Sequence, residues 1–243
     1  MINFYGQDFS NKVVLEVGTG RGGTTIELAK FLSKFNGCKL VTTDLNDDNF
    51  EKIEGEIRNY DVQVEFIKTD GCILEGIENN SIDFLVCNYT LCAINSKCGS
   101  EALAINRFNE VLKENGVLYI EEEYPIDIET NDMEYVWKRK WQLRRATSML
   151  LGDSHFNEIN PYILAKILEL QGFKDIEWEK DSSKFLGDNC LEFSNNRLNK
   201  MLNKLEDKDI VNGIKKEMEK LEEYATRTNG MEVPIYKIIA TKI

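Results

Sequence analysis

The chain has little proline and almost no histidine. Its 243 residues include 3 prolines and 1 histidine, whereas 42 % of them are hydrophobic. This composition excludes collagen-like and proline-rich disordered chains, and we find no internal repeat at a solenoid period. Because no Cys-x-x-Cys pair accompanies the single histidine, the sequence predicts no metal site. The length suits one α/β domain with insertions.

Long hydrophobic runs are missing as well. No stretch approaches the ~18 consecutive apolar residues of a membrane-spanning helix, and the first residues do not combine a basic region with a long apolar run. We therefore expect a soluble, cytoplasmic protein that does not act at a membrane. Its dispersed cysteines are predicted to be reduced and mostly buried, rather than paired in disulfides. They are Cys38, Cys72, Cys87, Cys92, Cys98 and Cys190.

Basic charge is in deficit. The chain has 30 Lys and Arg residues against 42 Asp and Glu residues, which gives a formal net charge of -12. A field of this sign repels phosphate backbones, so nucleic acid is not expected as a partner. A small-molecule or cationic partner is compatible with the charge, and a homodimer remains open.

The most informative stretch is VVLEVGTGRGGTT, from Val13 to Thr25. Its aliphatic start predicts a buried strand, and glycines follow at once. Glycine permits positive φ and lets a ligand approach the main chain closely. Thr24 and Thr25 then open a helix, whose free N–H groups favour a polar or anionic ligand group. The stretch is therefore predicted to be a strand, a ligand-binding turn and a helix.

Two cofactors fit the spacing of these glycines. Gly18, Gly20 and Gly23 satisfy G-x-G-x-x-G, and Asp44 lies about 20 residues further on, where dinucleotide folds place a ribose-binding acid. The spacing alone does not separate a nicotinamide dinucleotide from S-adenosylmethionine. The interpretation as an NAD(P)-dependent oxidoreductase therefore remains an alternative at this point.

Strand and helix patterns alternate through the first half of the chain. Short apolar runs predict strands, and apolar side chains at helical spacing predict the helices between them. Such units in series imply a right-handed parallel sheet. Beyond residue 124 the alternation gives way to long helices. The predicted strands cover residues 13–17, 39–43, 62–68, 82–88, 117–120, 173–179 and 234–241, with a helix over 99–114 that Gly116 ends and another over 130–152.

Glu16, Gly18, Gly20 and Gly22 carry a family resemblance. Their Glu-x-Gly-x-Gly-x-Gly pattern resembles the first motif of class I S-adenosylmethionine-dependent methyltransferases, of the small-molecule type. The resemblance implies S-adenosylmethionine as the cofactor. It also implies an α/β fold with a doubly wound, seven-stranded, mostly parallel sheet of the Rossmann-like kind, whose last strand lies antiparallel between the fifth and the sixth. The implied domain organisation is a single domain over 1–243, with helical insertions at about 125–158 and 181–233.

The resemblance further implies roles for residues at strand ends. Glu16 would face the methionine moiety of the cofactor, Asp44 would bind both ribose hydroxyls, and Asp70 would accept from the adenine amino group. Leu45 would pack on the adenine ring. Without the resemblance, Asp44 could instead cap the following turn and Asp70 could cap the next short helix. The implied cofactor-binding residues are Glu16, Gly18, Thr19, Gly20, Gly22, Asp44, Leu45, Asp70, Gly71 and Asn88.

The sequence offers candidates for a catalytic base and for acceptor binding. Glu122 follows the fifth strand and His155 is the single histidine, so both are candidate bases, although a solvated or packed side chain explains each of them too. Trp and Arg side chains share one face of the helix over 130–152, which predicts a lid over an aromatic or anionic acceptor. The alternative is buried tryptophans with solvated arginines. The predicted acceptor residues are Tyr89, Trp137, Trp141, Arg144 and Arg145.

Together these motifs predict an S-adenosylmethionine-dependent methyltransferase that acts on a small molecule. The alternatives are an NAD(P)-dependent oxidoreductase and a catalytically silent module of the same fold, which would bind a partner protein through the helices at 194–227. An exposed apolar stripe on those helices would favour the partner-binding module. A deep pocket beside the cofactor would favour an enzyme.

Overall fold

One β-sheet of seven strands organises the fold. The computed structural model describes residue 2 and residues 4–96, 99–187 and 189–243, so Cys98 lies outside the described residues. The strands are β1 (Val13–Val17), β2 (Lys39–Asp44), β3 (Gln63–Lys68), β4 (Ile82–Asn88), β5 (Leu112–Glu123), β6 (Phe173–Leu186) and β7 (Gly230–Lys242). The helices are α1 (Gly23–Leu32), α2 (Phe50–Ile57), α3 (Leu91–Ile94), α4 (Ser100–Val111), α5 (Asp132–Leu150), α6 (Pro161–Leu170), α7 (Glu192–Leu202) and α8 (Lys208–Thr228).

The strand order places the glycine turn at a binding edge. The order is β3-β2-β1-β4-β5-β7-β6, which confirms the predicted doubly wound sheet. β1 pairs in parallel with β2 on one side and with β4 on the other, with Leu15 opposite Val41 and Leu85. Open α/β sheets bind ligands at the carboxyl ends of strands where the order reverses, as it does between β1 and β4. The turn after β1 lies at this point.

The last strand, β7, lies between β5 and β6. At one end of its pairing with β5, Tyr124 N donates to Pro234 O at 2.8 Å. At the other end, Lys242 Nζ donates to Leu112 O at 2.7 Å. Residue numbers therefore rise along β5 while they fall along β7, so the two strands are antiparallel. The implied position and direction of the last strand are confirmed.

The chain divides into two compact units. Unit 2 contains most of the regions expected as helical insertions together with the end of β6 and the start of β7, and the organisation as a single domain stays a prediction. Unit 1 comprises Met1–Glu122, Glu158–Glu179 and Tyr236–Ile243, and unit 2 comprises Glu123–Asn157 and Lys180–Ile235.

Aromatic side chains build much of the core of unit 1. Phe9 lies against Phe84 with ring centroids 4.4 Å apart, and Phe4 stacks on Tyr119 at 5.0 Å. All four side chains are buried. The segment ahead of β1 therefore completes the core, and this packing holds the neighbouring Tyr5 in place.

The core of unit 2 is formed by α5, α7 and α8. Trp137 on α5 packs in the same cluster as Leu198 on α7 and Leu221 on α8. The apolar stripes that the sequence places on α7 and α8 are thus mostly buried within unit 2, although Ile210 is 38 % exposed. The buried stripes remove the feature that would favour a partner-binding module.

Several predicted boundaries are wrong. β5, β6 and β7 extend beyond the expected ranges of 117–120, 173–179 and 234–241. The helix expected over 99–114 ends at Val111, because Leu112 has extended backbone angles of φ -65° and ψ 143°. Gly116 lies within β5 and does not end the helix. β5 also shifts its register against β4 near its start. Such a bulge adds residues that no partner strand faces, and the apolar pattern of the sequence does not reveal it.

Among the described residues, no helix combines the length and the apolar composition that a membrane-spanning segment needs. In the same ranges, no group of three or more His, Cys, Asp and Glu side chains is arranged to bind a metal ion. The described cysteines do not form disulfides: Cys38, Cys72, Cys87, Cys92 and Cys190.

Candidate functional site

The turn after β1 needs glycine at specific positions. Gly18 and Gly22 have φ angles of 95° and 87°, which residues with a Cβ rarely adopt. A Cβ on Gly18 would lie 1.9 Å from Thr90 Oγ1, and one on Gly22 would lie 2.6 Å from Ile53 Cγ1. A Cβ on Gly20 would have its nearest neighbour at 4.0 Å. The turn therefore packs tightly at both ends and leaves open space over its middle.

Asp44 supports this turn from the end of β2. Its Oδ2 accepts from Gly20 N at 2.8 Å, and its Oδ1 accepts from Asn46 N at 3.0 Å. The preceding carbonyl, Thr43 O, accepts from the first two amides of the turn at 2.8 and 2.9 Å. Because the side chain is partly exposed and each carboxylate oxygen can accept a second hydrogen bond, Asp44 can still bind a ligand hydroxyl.

Glu16 is buried beneath the turn. Its side chain is 1 % exposed, and its Oε2 accepts from the hydroxyls of Thr25 and Thr42, both at 2.7 Å. Its Oε1 has no hydrogen-bond partner among the described residues. Burial raises the pKa of Glu16 to about 7, against the opposing effect of the two hydroxyls. The carboxyl group thus connects β1 to β2 and α1, and one of its oxygens accepts no hydrogen bond from the described residues.

Asp70 and Gly71 follow the end of β3. Asp70 Oδ1 accepts from Cys72 N at 2.8 Å, so the carboxylate caps the next turn, where the alternative from the sequence expected a short helix. A Cβ on Gly71 would lie 2.9 Å from Ile94 Cδ1. A larger residue at this position would therefore require the flexible end of the Ile94 side chain to shift.

Two aliphatic side chains are exposed at the same edge of the sheet. Leu45 follows β2 and is 62 % exposed, and Ile73 follows β3 and is 60 % exposed. These strands are neighbours, with Asp44 opposite Lys68. Aliphatic surface beside carboxylates suits a ligand with a flat apolar face and a polar edge. Sequence reasoning named Leu45 but missed Ile73, although its position just after Asp70 was a usable signal.

A cleft of about 490 Å³ opens where β4 and β5 end and α1 begins. Asn88 and Tyr89 contribute from the end of β4, and Glu121 contributes from β5. Asn88 Oδ1 is buried and, within the described ranges, has no hydrogen-bond partner. A buried polar atom without a partner calls for an explanation, and a bound ligand supplies one. Polar residues in the cleft wall include Tyr5, Thr24, Asn88, Tyr89, Tyr119 and Glu121.

Glu121 binds two of the tyrosines in this wall. Tyr89 OH donates to its Oε1, and Tyr119 OH donates to its Oε2 at 3.1 Å. Burial and the negative charge of Glu121 raise the pKa of Tyr119, and burial followed by the charge of Glu27 raises the pKa of Tyr5. These two phenols therefore keep their protons near neutral pH. Sequence reasoning did not identify Tyr5 or Tyr119 as site residues.

Glu122 lies outside the cleft wall. Its side chain is 1 % exposed, and its Oε1 accepts from the amides of Leu91 and Cys92 at 2.6 and 3.2 Å. Those amides form the first turn of α3, so Glu122 caps that short helix. Burial raises the pKa of Glu122 to about 7. Of the two successive glutamates, Glu121 faces the cleft.

The acceptor residues predicted on α5 have different surroundings. Trp137 is 5 % exposed in the core of unit 2, which matches the alternative of a buried tryptophan. Trp141, Arg144 and Arg145 line a cavity of about 180 Å³ together with His155, the second candidate base. All the lining residues of that cavity belong to unit 2. Tyr89 lines the cleft of unit 1.

The strand order, with acids at the ends of β2 and β3, defines the fold of class I S-adenosylmethionine-dependent methyltransferases. Residues 14–116 match the sequence model of a family described as "Methyltransferase domain". Residues 14–116 are therefore similar to a methyltransferase domain, and this match together with the fold supports S-adenosylmethionine as the methyl donor.

Comparison with a curated relative and with solved structures adds detail. Ribosomal protein L11 methyltransferase of Fusobacterium nucleatum is 30% identical over 114 residues, which cover 46% of this chain and 35% of that protein. The match thus spans about a third of that relative's length. A candidate methyltransferase from Bacillus halodurans has a TM-score of 0.60 at 18% identity, covering 96% of this chain and 92% of that chain.

A second solved structure is phosphoethanolamine N-methyltransferase 2 of Haemonchus contortus, in complex with phosphomonomethylethanolamine and S-adenosylhomocysteine. Its TM-score is 0.54 at 18% identity, covering 99% of this chain and 50% of that chain. At such identities the likeness to both structures shows the fold alone.

Proposed function

We propose that this chain transfers a methyl group to a small-molecule acceptor, which binds in the cleft where β4 and β5 end. The observation that carries the proposal is the cleft itself, about 490 Å³ in volume, beside the glycine turn. Small-molecule sites typically have volumes of about 300–1,000 Å³. Asn88, whose buried Oδ1 lacks a partner among the described residues, is one of the residues that line the cleft.

The neighbouring strand ends fit the cofactor. Asp44 offers carboxylate oxygens for the ribose hydroxyls, and Asp70 offers one for the adenine amino group. Leu45 and Ile73 supply exposed aliphatic surface for the adenine ring. The open space over Gly20 permits a close approach to the main chain. These residues would hold the adenosyl half of the cofactor beside the cleft.

The cleft residues can bind and orient an acceptor. When bound, S-adenosylmethionine supplies a methyl group that its sulfonium already activates, so the chain has mainly to position the acceptor and exclude water. Glu27 and Glu121 are carboxylates of the cleft wall, and Glu121 is held in place by Tyr89 and Tyr119. An acceptor hydroxyl or amine can hydrogen-bond to Glu121, which can also accept a proton from it.

Other functions have less support. The family match favours methyl transfer over the NAD(P)-dependent oxidoreductase. A protein acceptor is the competing substrate class, because the curated relative is named for ribosomal protein L11 and a net charge of -12 attracts basic proteins. The cleft favours a small molecule, since its polar groups line a concave site.

A methyl-transfer assay tests the substrate class. Methyl-labelled S-adenosylmethionine would be incubated with the protein and either a panel of small amines and phenols or purified ribosomal proteins. We expect label in a small-molecule product. Label found only in protein would contradict the small-molecule acceptor.

Replacing Glu121 tests the assignment of the cleft. Glu121→Gln keeps the size of the side chain but removes its charge, so kcat/KM should fall by about 10- to 100-fold while the affinity for S-adenosylhomocysteine stays the same. Glu114→Gln is the matched control, because Glu114 is an exposed residue near the other end of β5. Equal activity of the two variants would show that the acceptor does not use this wall.

A further inference from the structure

A second cavity, of about 180 Å³, lies within unit 2 and has a basic wall. Arg144 and Arg145 contribute from α5, Arg197 contributes from α7, and Lys204 lies just beyond α7. Asp153 is the one acid that we find in this wall among the described residues. Such an excess of positive charge is unexpected in a chain with a net charge of -12.

Arg144 is the most unusual residue of the wall. Its side chain is only 9 % exposed, and its guanidinium carbon lies 4.4 Å from the ring centroid of Trp141. Within the described part of the chain, the guanidinium has no hydrogen-bond acceptor and no ion-pair partner. A buried charge is costly unless it is paired. Arg144 therefore has donors that face the cavity and no protein group to receive them.

A second arginine increases this imbalance. Burial, together with the like charge of Arg197, lowers the pKa of Arg144 to about 10, while Glu123 acts in the opposite direction. Asp153 does not restore the balance, because its Oδ2 lies 4.0 Å from Lys204 Nζ and both side chains are largely exposed. Two guanidinium groups thus repel each other across a space that an anion would fill.

Arg145 has a different role. Its Nη2 donates to Phe156 O at 3.3 Å, so it holds the chain segment after α5 against the helix. That segment brings His155 and Phe156 to the cavity wall. Arg197 lies 6.0 Å from the ring centroid of Phe156. The cavity is therefore bounded by cations and by two aromatic rings, those of Trp141 and Phe156.

We propose that this cavity binds the phosphoryl group of a small phosphorylated molecule, with Arg144 and Arg197 as the main ligands. A phosphoryl group carries about -1.5 to -2 charges at pH 7 and three acceptor oxygens, which matches several cationic donors better than a single carboxylate does. Arginine binds such groups with two parallel hydrogen bonds. The cavity is smaller than the ~300 Å³ of a typical drug-sized site, which suits one phosphoryl group with a short substituent.

Binding is measured directly, so the test does not depend on methyl transfer. Phenyl phosphate, inorganic phosphate, benzoate and phenol would each be titrated into the full chain at constant ionic strength, by calorimetry and by tryptophan fluorescence. Trp141 forms part of the wall, so its emission should change when the site fills. We expect phenyl phosphate to bind more tightly than benzoate or inorganic phosphate, and phenol not to bind.

Arg197→Gln is the main variant, because Arg197 is exposed and its replacement leaves the core intact. It should weaken phenyl phosphate binding by about tenfold or more. Lys200→Gln is the matched control, since Lys200 is an exposed cation on the same helix outside the cavity wall. Arg144→Gln should weaken binding at least as much if the variant folds.

Several results would overturn the proposal. Equal binding of phenol and phenyl phosphate would show an aromatic site without anion recognition, and equal affinity of Arg197→Gln and Lys200→Gln would place the anion elsewhere. If sulfate and chloride at the same ionic strength produced the same heat and the same fluorescence change, the effect would be charge screening and not specific binding. A phosphopeptide or an RNA oligomer that binds more tightly than phenyl phosphate would exclude a small molecule as the partner.

Discussion

The two units place their polar groups in different ways. In unit 1, Asp44, Asn88 and Glu121 lie at the ends of parallel strands, so the register of the sheet brings them to one edge. In unit 2, Arg144 and Arg197 extend from α5 and α7, and the packing of these helices decides what they face. A strand-end site can therefore be located from short motifs, whereas a site between helices requires the packed structure.

The chemistry of the two sites differs as well. The cleft of unit 1 combines tyrosines with Glu27 and Glu121, and the cavity of unit 2 combines arginines with Trp141 and Phe156. The first suits hydrogen-bonding hydroxyls and amines, and the second suits an anion. A ligand that binds in the cleft of unit 1 should therefore not bind in the cavity of unit 2.

The largest expected effect concerns the glycine turn of unit 1. Gly18→Ala would place a Cβ 1.9 Å from Thr90 Oγ1 at a φ of 95°, so the free energy of unfolding should fall by about 3 kcal/mol or more. Urea unfolding measures this change. Gly23→Ala is the matched control, because its Cβ would meet nothing within 4 Å, and it should gain up to about 1 kcal/mol. Similar losses in both variants would contradict the tight packing described for the turn.

The next effect concerns the pH dependence of stability. Burial raises the pKa of Glu16 from 4.5 to about 7. The folded chain therefore keeps this proton at pH values where the unfolded chain has lost it, and the free energy of unfolding should fall as the pH rises from about 4.5 to about 7. Glu122 adds an effect of the same sign, since its pKa is also raised to about 7.

Glu16→Gln removes one of these titrations. Relative to the wild type, the variant should gain up to roughly 3 kcal/mol between pH 4.5 and pH 8. Urea unfolding at several pH values, without cofactor, measures the difference. Glu27→Gln, which changes an exposed acid on α1, should follow the wild-type curve. A Glu16→Gln curve parallel to that of the wild type would mean that Glu16 is ionised throughout this range.

The smallest expected effect belongs to unit 2. Arg144→Met removes a buried guanidinium without a partner among the described residues, so the free energy of unfolding in phosphate-free buffer should rise by about 1 kcal/mol. Arg139→Met on the same helix breaks an ion pair with Glu217, whose N and O atoms are 3.1 Å apart, and should lose up to about 1 kcal/mol. Thermal unfolding distinguishes the two outcomes. A loss in Arg144→Met as large as that in Arg139→Met would make Arg144 a stabilising residue.

The strands and the cofactor edge were largely predictable. The continuous apolar run over 82–88 predicts β4 with the observed bounds, Ile82–Asn88, because such a run between polar residues fits a buried strand. The glycine spacing and Asp44 indicate the cofactor-binding edge of the sheet, because they follow neighbouring parallel strands whose carboxyl ends lie at the same edge. The side chains that face the cleft were less predictable. Glu121 and Glu122 alternate across β5, and the position of α3 decides which one is used as its cap.

The site of unit 2 could be predicted only in part. Trp137 and Trp141 lie one turn apart on α5, yet Trp137 is in the core and Trp141 lines the cavity. The helical spacing predicts that both side chains lie on one face of α5, but it does not predict where α7 packs against that face. Arg197 and Lys204 were missed for this reason, because their partners on α5 are more than 50 residues away in the sequence.

Calorimetry with S-adenosylhomocysteine tests whether the strand ends of unit 1 bind S-adenosylmethionine. We expect one binding site per chain, at least about tenfold weaker binding for Asp44→Asn, and unchanged binding for Asp47→Asn, whose exposed carboxylate pairs with Lys68 at 2.9 Å. Folded, ligand-free wild-type protein that gives no binding heat would contradict this expectation.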